Sequence, residues 1–219
     1  MNRLAIFDCD GTLVDSQHSI AAALAEAFTS HGLPVPPPHE SRRVVGLSLI
    51  EAMAALLPGH PHTLHVTLAE DYKGAFQRMR SRGAVEEPLF EGITALLDAL
   101  EADGWLLGVA TGKSERGLGL CLDCHGLAGR FVTLQTADRH PSKPHPSMIE
   151  QAMADAGAQP ASTLMIGDTS YDMEMARAAG ATAIGVAWGY HPPAELREAG
   201  AHFVASRPLE ILEYAREHA

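Results

Sequence analysis

Two pairs of aspartates stand at spacings that could do chemistry. Asp8 and Asp10 follow the apolar run LAIF at i, i+2, which puts both carboxylates on one side of an extended segment. Gly11 then permits a tight turn, and Thr12 can hydrogen-bond back to the backbone. Asp168 and Asp172 follow TLMI within GDTSYD. A helix beginning near Ser170 would leave Asp168 just before it and Asp172 in its first turn, where a carboxylate can cap free N–H groups. Capping explains one of these aspartates, or two, but not four clustered carboxylates, which require compensation at close range. A hard divalent cation supplies it, and Mg²⁺ favours one or two carboxylates together with water and phosphate oxygens. Two further segments suit an anion. Thr111-Gly112-Lys113-Ser114 offers a hydroxyl and backbone N–H groups at a helix start, and Lys143 lies in PSKPHP between turn-forming prolines. Lys143 could neutralise a phosphoryl group or simply stand in solvent.

The elements that must position these residues follow from hydrophobic patterning. LAIFD (4–8), WLLGVAT (105–111), TLMIGD (163–168) and AIGVAW (183–188) read as buried parallel strands, FVTLQ as a further one and HFVA as an edge strand. TALLDALEADG, PSMIEQAMADAG and YDMEMARAAG carry helical periodicity and stop at glycine. The alternation predicts an α/β fold with a Rossmann-like parallel sheet, whose ligands bind at the carboxyl ends of the strands, where all the residues above are expected. Between Ser16 and Val85 the pattern is helical throughout, so residues 16–85 read as an all-helical inserted domain and residues 1–15 with 86–219 as the α/β core. PVPPPH (34–39) reads as a stiff connector inside the insertion.

Composition narrows the function. The chain has 219 residues, 46% of them hydrophobic and 20% charged, which is globular rather than disordered. Its net charge of −11 argues against nucleic-acid binding, so an anionic ligand needs a local cation or metal. From Asp15 to Val85 six acidic residues balance six basic ones, leaving the negative charge on the core. No apolar run reaches the roughly 20 residues of a membrane span, and the carboxylates of MNRLAIFDCDGTLVD interrupt any export signal. Three cysteines are too few for a disulfide framework and fit a reducing cytoplasm. Cys121-Leu-Asp-Cys124-His125 spells a haem attachment pattern, but its segment has the apolar spacing of a surface helix. His60, His62 and His65 lie among prolines, where histidines are usually solvated.

Together, Asp8-Cys9-Asp10-Gly11-Thr12, Thr111-Gly112, Lys143-Pro144 and Gly167-Asp168 with Asp172 resemble the four motifs of the haloacid dehalogenase-like hydrolase superfamily, in order and across essentially the full chain. The helical insertion after the first motif resembles the cap of the phosphoglycolate phosphatase and β-phosphoglucomutase branch. The resemblance implies Asp8 as a nucleophile that forms an aspartyl-phosphate, and Asp10 as the acid and base. It implies Mg²⁺ held by Asp8, the Asp10 carbonyl and Asp168, with Asp172 as a ligand or an orienter. Thr111 and the Gly112 backbone would hold phosphate oxygens, and Lys143 would stabilise charge on Asp8 and the transferring group.

Within that resemblance, Asp10 disfavours dehalogenation, because the dehalogenases lack a carboxylate there and use no Mg²⁺. Lys73, the only lysine of the insertion, is not singled out as a Schiff-base former for phosphonate hydrolysis. A sugar phosphomutase shares the core motifs. However, the specificity segment Arg42-Arg43-Val44-Val45-Gly46-Leu47-Ser48 is followed by Leu49, where the mutase pattern carries a basic residue. Arg43 and Gly46 are candidate substrate contacts; Arg42 or Arg43 would reach an anionic tail, or else stand on a solvated helix face. GVATGKS falls one residue short of a Walker A loop, and no GxSxG elbow is present. A catalytically silent phosphate-binding module on the same fold is the non-enzymatic alternative, weakened by the completeness of the motifs. The few aromatics of the insertion (Phe28, Tyr72, Phe76) point to a small phosphomonoester rather than a stacked nucleotide. The expected reaction is therefore Mg²⁺-dependent hydrolysis of a small phosphorylated metabolite, with phosphoglycolate the nearest named substrate and other sugar phosphates or pyrophosphate close behind. Monomer and homodimer both remain open.

Overall fold

The apolar runs form six strands in the computed structural model, which describes residues 2–218. They are β1 (Asn2–Phe7), β2 (Trp105–Thr111), β3 (Phe131–Thr136), β4 (Ala158–Gly167), β5 (Thr182–Val186) and β6 (Phe203–Ala205). All pair in parallel in one sheet of order β3-β2-β1-β4-β5-β6. The order runs outward in one direction from β1 and in the other from β4, so the topological switch point lies between these two strands. β4 begins well before the expected TLMIGD run, because Ala158 pairs with Asn2 ahead of a register shift between Asn2 and Leu4.

Helices cover both faces. α5 (Ile93–Ala102), α6 (Glu115–Cys124) and α10 (Pro208–His218) pack one face, where Ala5, Phe7, Val109 and Ile166 join their leucines. α7 (Ser147–Ala156), α8 (Ser170–Ala178) and α9 (Pro193–Glu198) pack the other against Leu4, Ile6 and Met165. Successive residues of β1 thus enter opposite cores, which is why its sequence is continuously apolar. Patterning did not single out α9 and α10.

Four more helices lie between β1 and β2: α1 (Gln17–Ser30), α2 (Pro38–Arg43), α3 (Leu49–Leu56) and α4 (His62–Ser81). They share an apolar cluster of their own, including Ile20, Leu24, Phe28, Met53 and Leu68. α2 starts inside the stretch read as a connector, because proline is tolerated at a first helical position. The chain enters and leaves this region side by side: Asp15 N–H donates to Pro88 O at 2.8 Å and Phe90 N–H to Leu13 O at 3.0 Å. No described helix is long and apolar enough to cross a membrane.

Candidate active site

Asp8 is the first residue beyond β1, and its N–H still donates to Ile166 O at 2.9 Å across the switch point. Its carboxylate is buried. Oδ1 accepts from Cys9 N–H at 2.7 Å and from Lys143 Nζ at 3.0 Å, while Oδ2 has no hydrogen-bond partner. Asp168 follows β4. Its Oδ1 accepts from Thr12 Oγ1 and its Oδ2 from Tyr190 N–H, both at 2.9 Å. Gly11, at φ +83°, lies so close that a Cβ there would stand 2.2 Å from Asp168 Oδ2. The glycine of the first motif therefore makes room for the aspartate of the last.

Asp172 does cap α8, but with Thr169 rather than Asp168 at the N-cap. Thr169 N–H and Oγ1 donate to Asp172 Oδ2 at 3.1 and 2.7 Å, in a capping box. Its other oxygen accepts from Lys143 Nζ at 2.6 Å. Lys143 is thus fully buried between two carboxylates rather than solvent-exposed. Burial alone would lower its pKa, but Asp172 and Asp8 outweigh burial and hold it above the ordinary lysine range. Burial, reinforced by Asp172 and Asp10 and opposed by Lys143, pushes the Asp8 carboxyl up to about 7. Burial and the charges of Asp8 and Asp172 likewise raise Asp168 well above the carboxylate range.

Asp10 turns away from this trio. Its Oδ1 accepts from Ser16 Oγ and pairs with Lys113 Nζ at 2.9 Å. Lys113 also reaches Glu87 at 2.7 Å, and Glu87 binds Arg80 of α4 at 2.8 Å. Burial works against ionised Glu87, but the two cations outweigh it and lower its pKa. Thr111 is buried at the end of β2, and its Oγ1 accepts from Lys113 N–H at 3.2 Å, leaving the hydroxyl proton for another acceptor. At Gly112, a Cβ would stand 2.5 Å from Leu47 O and 2.7 Å from Gly46 O. The backbone around Gly46 thereby packs directly on the turn that follows β2.

Asp8, Asp10, Thr111, Gly112 and Gly46 line one cavity of about 420 Å³ between α1, α3, α4 and the core. Arg43 does not line it. Its guanidinium donates to Glu195 at 2.9 Å and its carbonyl accepts from Tyr171 OH at 3.1 Å. Lys73 does line it and pairs with Glu70 at 2.8 Å. Of the cysteines set aside above, Cys121 is buried and Cys124 exposed; His65 is buried and bonded to Leu57 O at 3.1 Å.

The donor set fits a hard divalent cation. Oxygens of Asp8, Asp168 and Asp172 lie within 4.8 Å of one another, and among the described residues this is the group able to hold a metal. The unpartnered, buried Oδ2 of Asp8 is the second observation for that fit. Carboxylate oxygens without sulfur or imidazole suit Mg²⁺ rather than a softer ion.

Sequence reasoning missed the Lys113–Glu87–Arg80 chain and the Tyr190 contact to Asp168. Lys113 was visible in TGKS, but its partners stand in distant segments. The apolar lining of the cavity was also missed, since its residues read equally well as helix core.

Comparison with known proteins places the chain in a family. Residues 5–186 match the model of the haloacid dehalogenase-like hydrolases, and the chain belongs to that family. It is 35% identical over 217 residues to the "Probable phosphatase IndB" of Dickeya dadantii, covering 97% of this chain and 93% of that one. The phosphoglycolate phosphatase of Vibrio parahaemolyticus is 27% identical, with 96% and 95% covered. A crystal structure of a hydrolase from Pseudomonas syringae superposes with a TM-score of 0.86 at 27% identity, covering all of both chains. Fold, motif order and relatives agree on a phosphoric monoester hydrolase.

Proposed function

We propose that the protein is a Mg²⁺-dependent phosphatase, similar to phosphoglycolate phosphatases in architecture, that hydrolyses a small phosphorylated metabolite through an aspartyl-phosphate on Asp8. The observation that carries the reading is the state of Asp8. One oxygen is anchored by Cys9 N–H and Lys143, the other is buried and unpartnered, and Asp8 lines the cavity.

In the first step the Asp8 carboxylate attacks phosphorus, forming the new P–O bond as the ester P–O bond breaks. Asp10, two residues on and lining the same cavity, gives its proton to the departing alcohol oxygen. In the second step Asp10 takes a proton from water as the water attacks phosphorus, releasing phosphate and restoring the Asp8 carboxylate. Thr111 Oγ1 and the Gly112 N–H donate to the phosphoryl oxygens at the end of β2. Lys143 spreads positive charge over Asp8 and the transferring group, and Asp172 keeps its ammonium in place. Asp8, the Asp10 carbonyl and Asp168 would hold Mg²⁺, with Asp172 orienting through Lys143; the ion offsets negative charge on the phosphoryl group.

Residues 16–85 act in this reading as a cap that excludes water from the reacting phosphorus. The three free cysteines fit a reducing, cytoplasmic setting. The test is phosphate release from p-nitrophenyl phosphate and acetyl phosphate, with and without Mg²⁺. Release that needs Mg²⁺ supports the reading, and equal release in EDTA contradicts it.

A further inference from the structure

We propose that the substrate is a phosphomonoester of an apolar alcohol, an alkyl or aryl phosphate, rather than a two-carbon acid or a sugar; this rests on the phosphatase reading above. The cavity over Asp8 and Asp10 measures about 420 Å³. That is about fourteen water volumes at roughly 30 Å³ each, and within the range of small-molecule sites. A phosphoryl group and two further carbons would leave most of it unfilled.

The wall chemistry decides the rest. Ile20 and Leu24 of α1, Leu49 and Met53 of α3, and Tyr72 and Phe76 of α4 face the space above the reacting carboxylates. Sugar hydroxyls set against the aliphatic and phenyl side chains would give up hydrogen bonds to water without finding partners there. The polar groups of the wall, Tyr72, Gln77 and Ser81 among them, make up the smaller part of its surface. A second carboxylate would need a cation not already committed, and the lining offers few. Lys113 bridges Asp10 and Glu87, Arg80 holds Glu87, and Lys73 holds Glu70. Arg116 is exposed in the first turn of α6. An alkyl or aryl group meets none of these costs and removes apolar surface from water.

An n-alkyl phosphate series tests this cleanly, because the leaving alcohols differ little in acidity and only the buried length changes. With Mg²⁺ present, kcat/KM is expected to rise two- to fourfold per methylene from ethyl to hexyl phosphate, the upper value corresponding to about 0.8 kcal/mol per buried methylene. Hexyl phosphate is expected to exceed phosphoglycolate and glucose 6-phosphate at least tenfold. Phe76→Ser, or Leu49→Asn should the first not fold, flattens the dependence on chain length. Thermal stabilisation by n-alkylphosphonates, which cannot be turned over, is expected to grow with chain length in the unaltered protein. A flat series, or a preference for phosphoglycolate or the sugar phosphate, overturns the inference and leaves the phosphatase reading intact. Length-dependent phosphonate binding without phosphate release from any ester overturns the phosphatase reading and leaves the apolar site. Failure of both readouts overturns both.

Discussion

Lys143 Nζ stands 3.0 Å from Asp8 Oδ1, although 135 residues separate the two in sequence, and neither side chain reaches solvent. The same ammonium holds Asp172 at 2.6 Å, so one cation organises two of the site's acids. A buried charge of this kind is costly unless paired, and removing one partner leaves the others uncompensated.

Lys143→Met is therefore expected to lose both activity and stability. Two buried carboxylates would face each other without their cation, at a cost of about 3–5 kcal/mol in the metal-free protein. Mg²⁺ would recover part of that loss. Chemical denaturation with and without Mg²⁺ checks both halves, and an unchanged denaturation midpoint would show that the ammonium is not needed to offset these acids.

Asp8→Asn is expected to keep the fold and to abolish turnover, with a loss of at least about a thousandfold in kcat, as for other covalent nucleophiles. Its metal-free form should be no less stable than the parent, because the amide removes a carboxyl that burial disfavours in its charged form. Phosphate release and thermal melts on the same preparation test the pair of outcomes.

Stability should depend on pH in a definite direction. Burial raises folded Asp8 to about 7, above an ordinary carboxyl near about 4. The folded state then binds more protons than the unfolded chain between these values, so this group's contribution is fully present at low pH and is lost as pH rises through about 7. Asp168, raised in the same direction, adds to the effect. Mg²⁺ requires the ionised carboxylates, so its stabilising shift in Tm should be larger at pH 8 than at pH 6. Equal shifts at both would contradict the assignment.

Gly112→Ala tests the seam between the helical insertion and the core. The added methyl would stand 2.5 Å from Leu47 O, a backbone atom that can yield only by moving the loop. The expected result is a rise in KM of at least about tenfold, with a stability loss of about 1–3 kcal/mol. Unchanged kinetics would mean that the loop around Gly46 does not help to close the site.

Much of this was legible in the sequence, and the reasons differ by residue. The central strands β1, β2 and β5 were readable because they are buried on both faces, and the aspartates because they stand at strand ends. For Lys143, sequence left two opposite fates open, and only the fold brings it between Asp8 and Asp172. Asp172 was read as a possible cap and as a site acid; it is a cap, with its second oxygen on Lys143. The Lys113–Glu87–Arg80 chain was invisible because it depends on where the chain re-enters the core after α4. The walls formed by Ile20, Leu24, Leu49 and Met53 escaped notice for a different reason: the periodicity that packs a helix core is the same one that lines a cavity.

The most direct test of the account is to identify the residue that carries phosphate during turnover. Protein mixed with acetyl phosphate and Mg²⁺, quenched in acid and reduced with borohydride, should yield homoserine at position 8 and nowhere else, and Asp8→Asn should yield none. Phosphate on another residue, or steady turnover with no trapped phosphoenzyme in the unaltered protein, would contradict the assignment of Asp8 as the nucleophile.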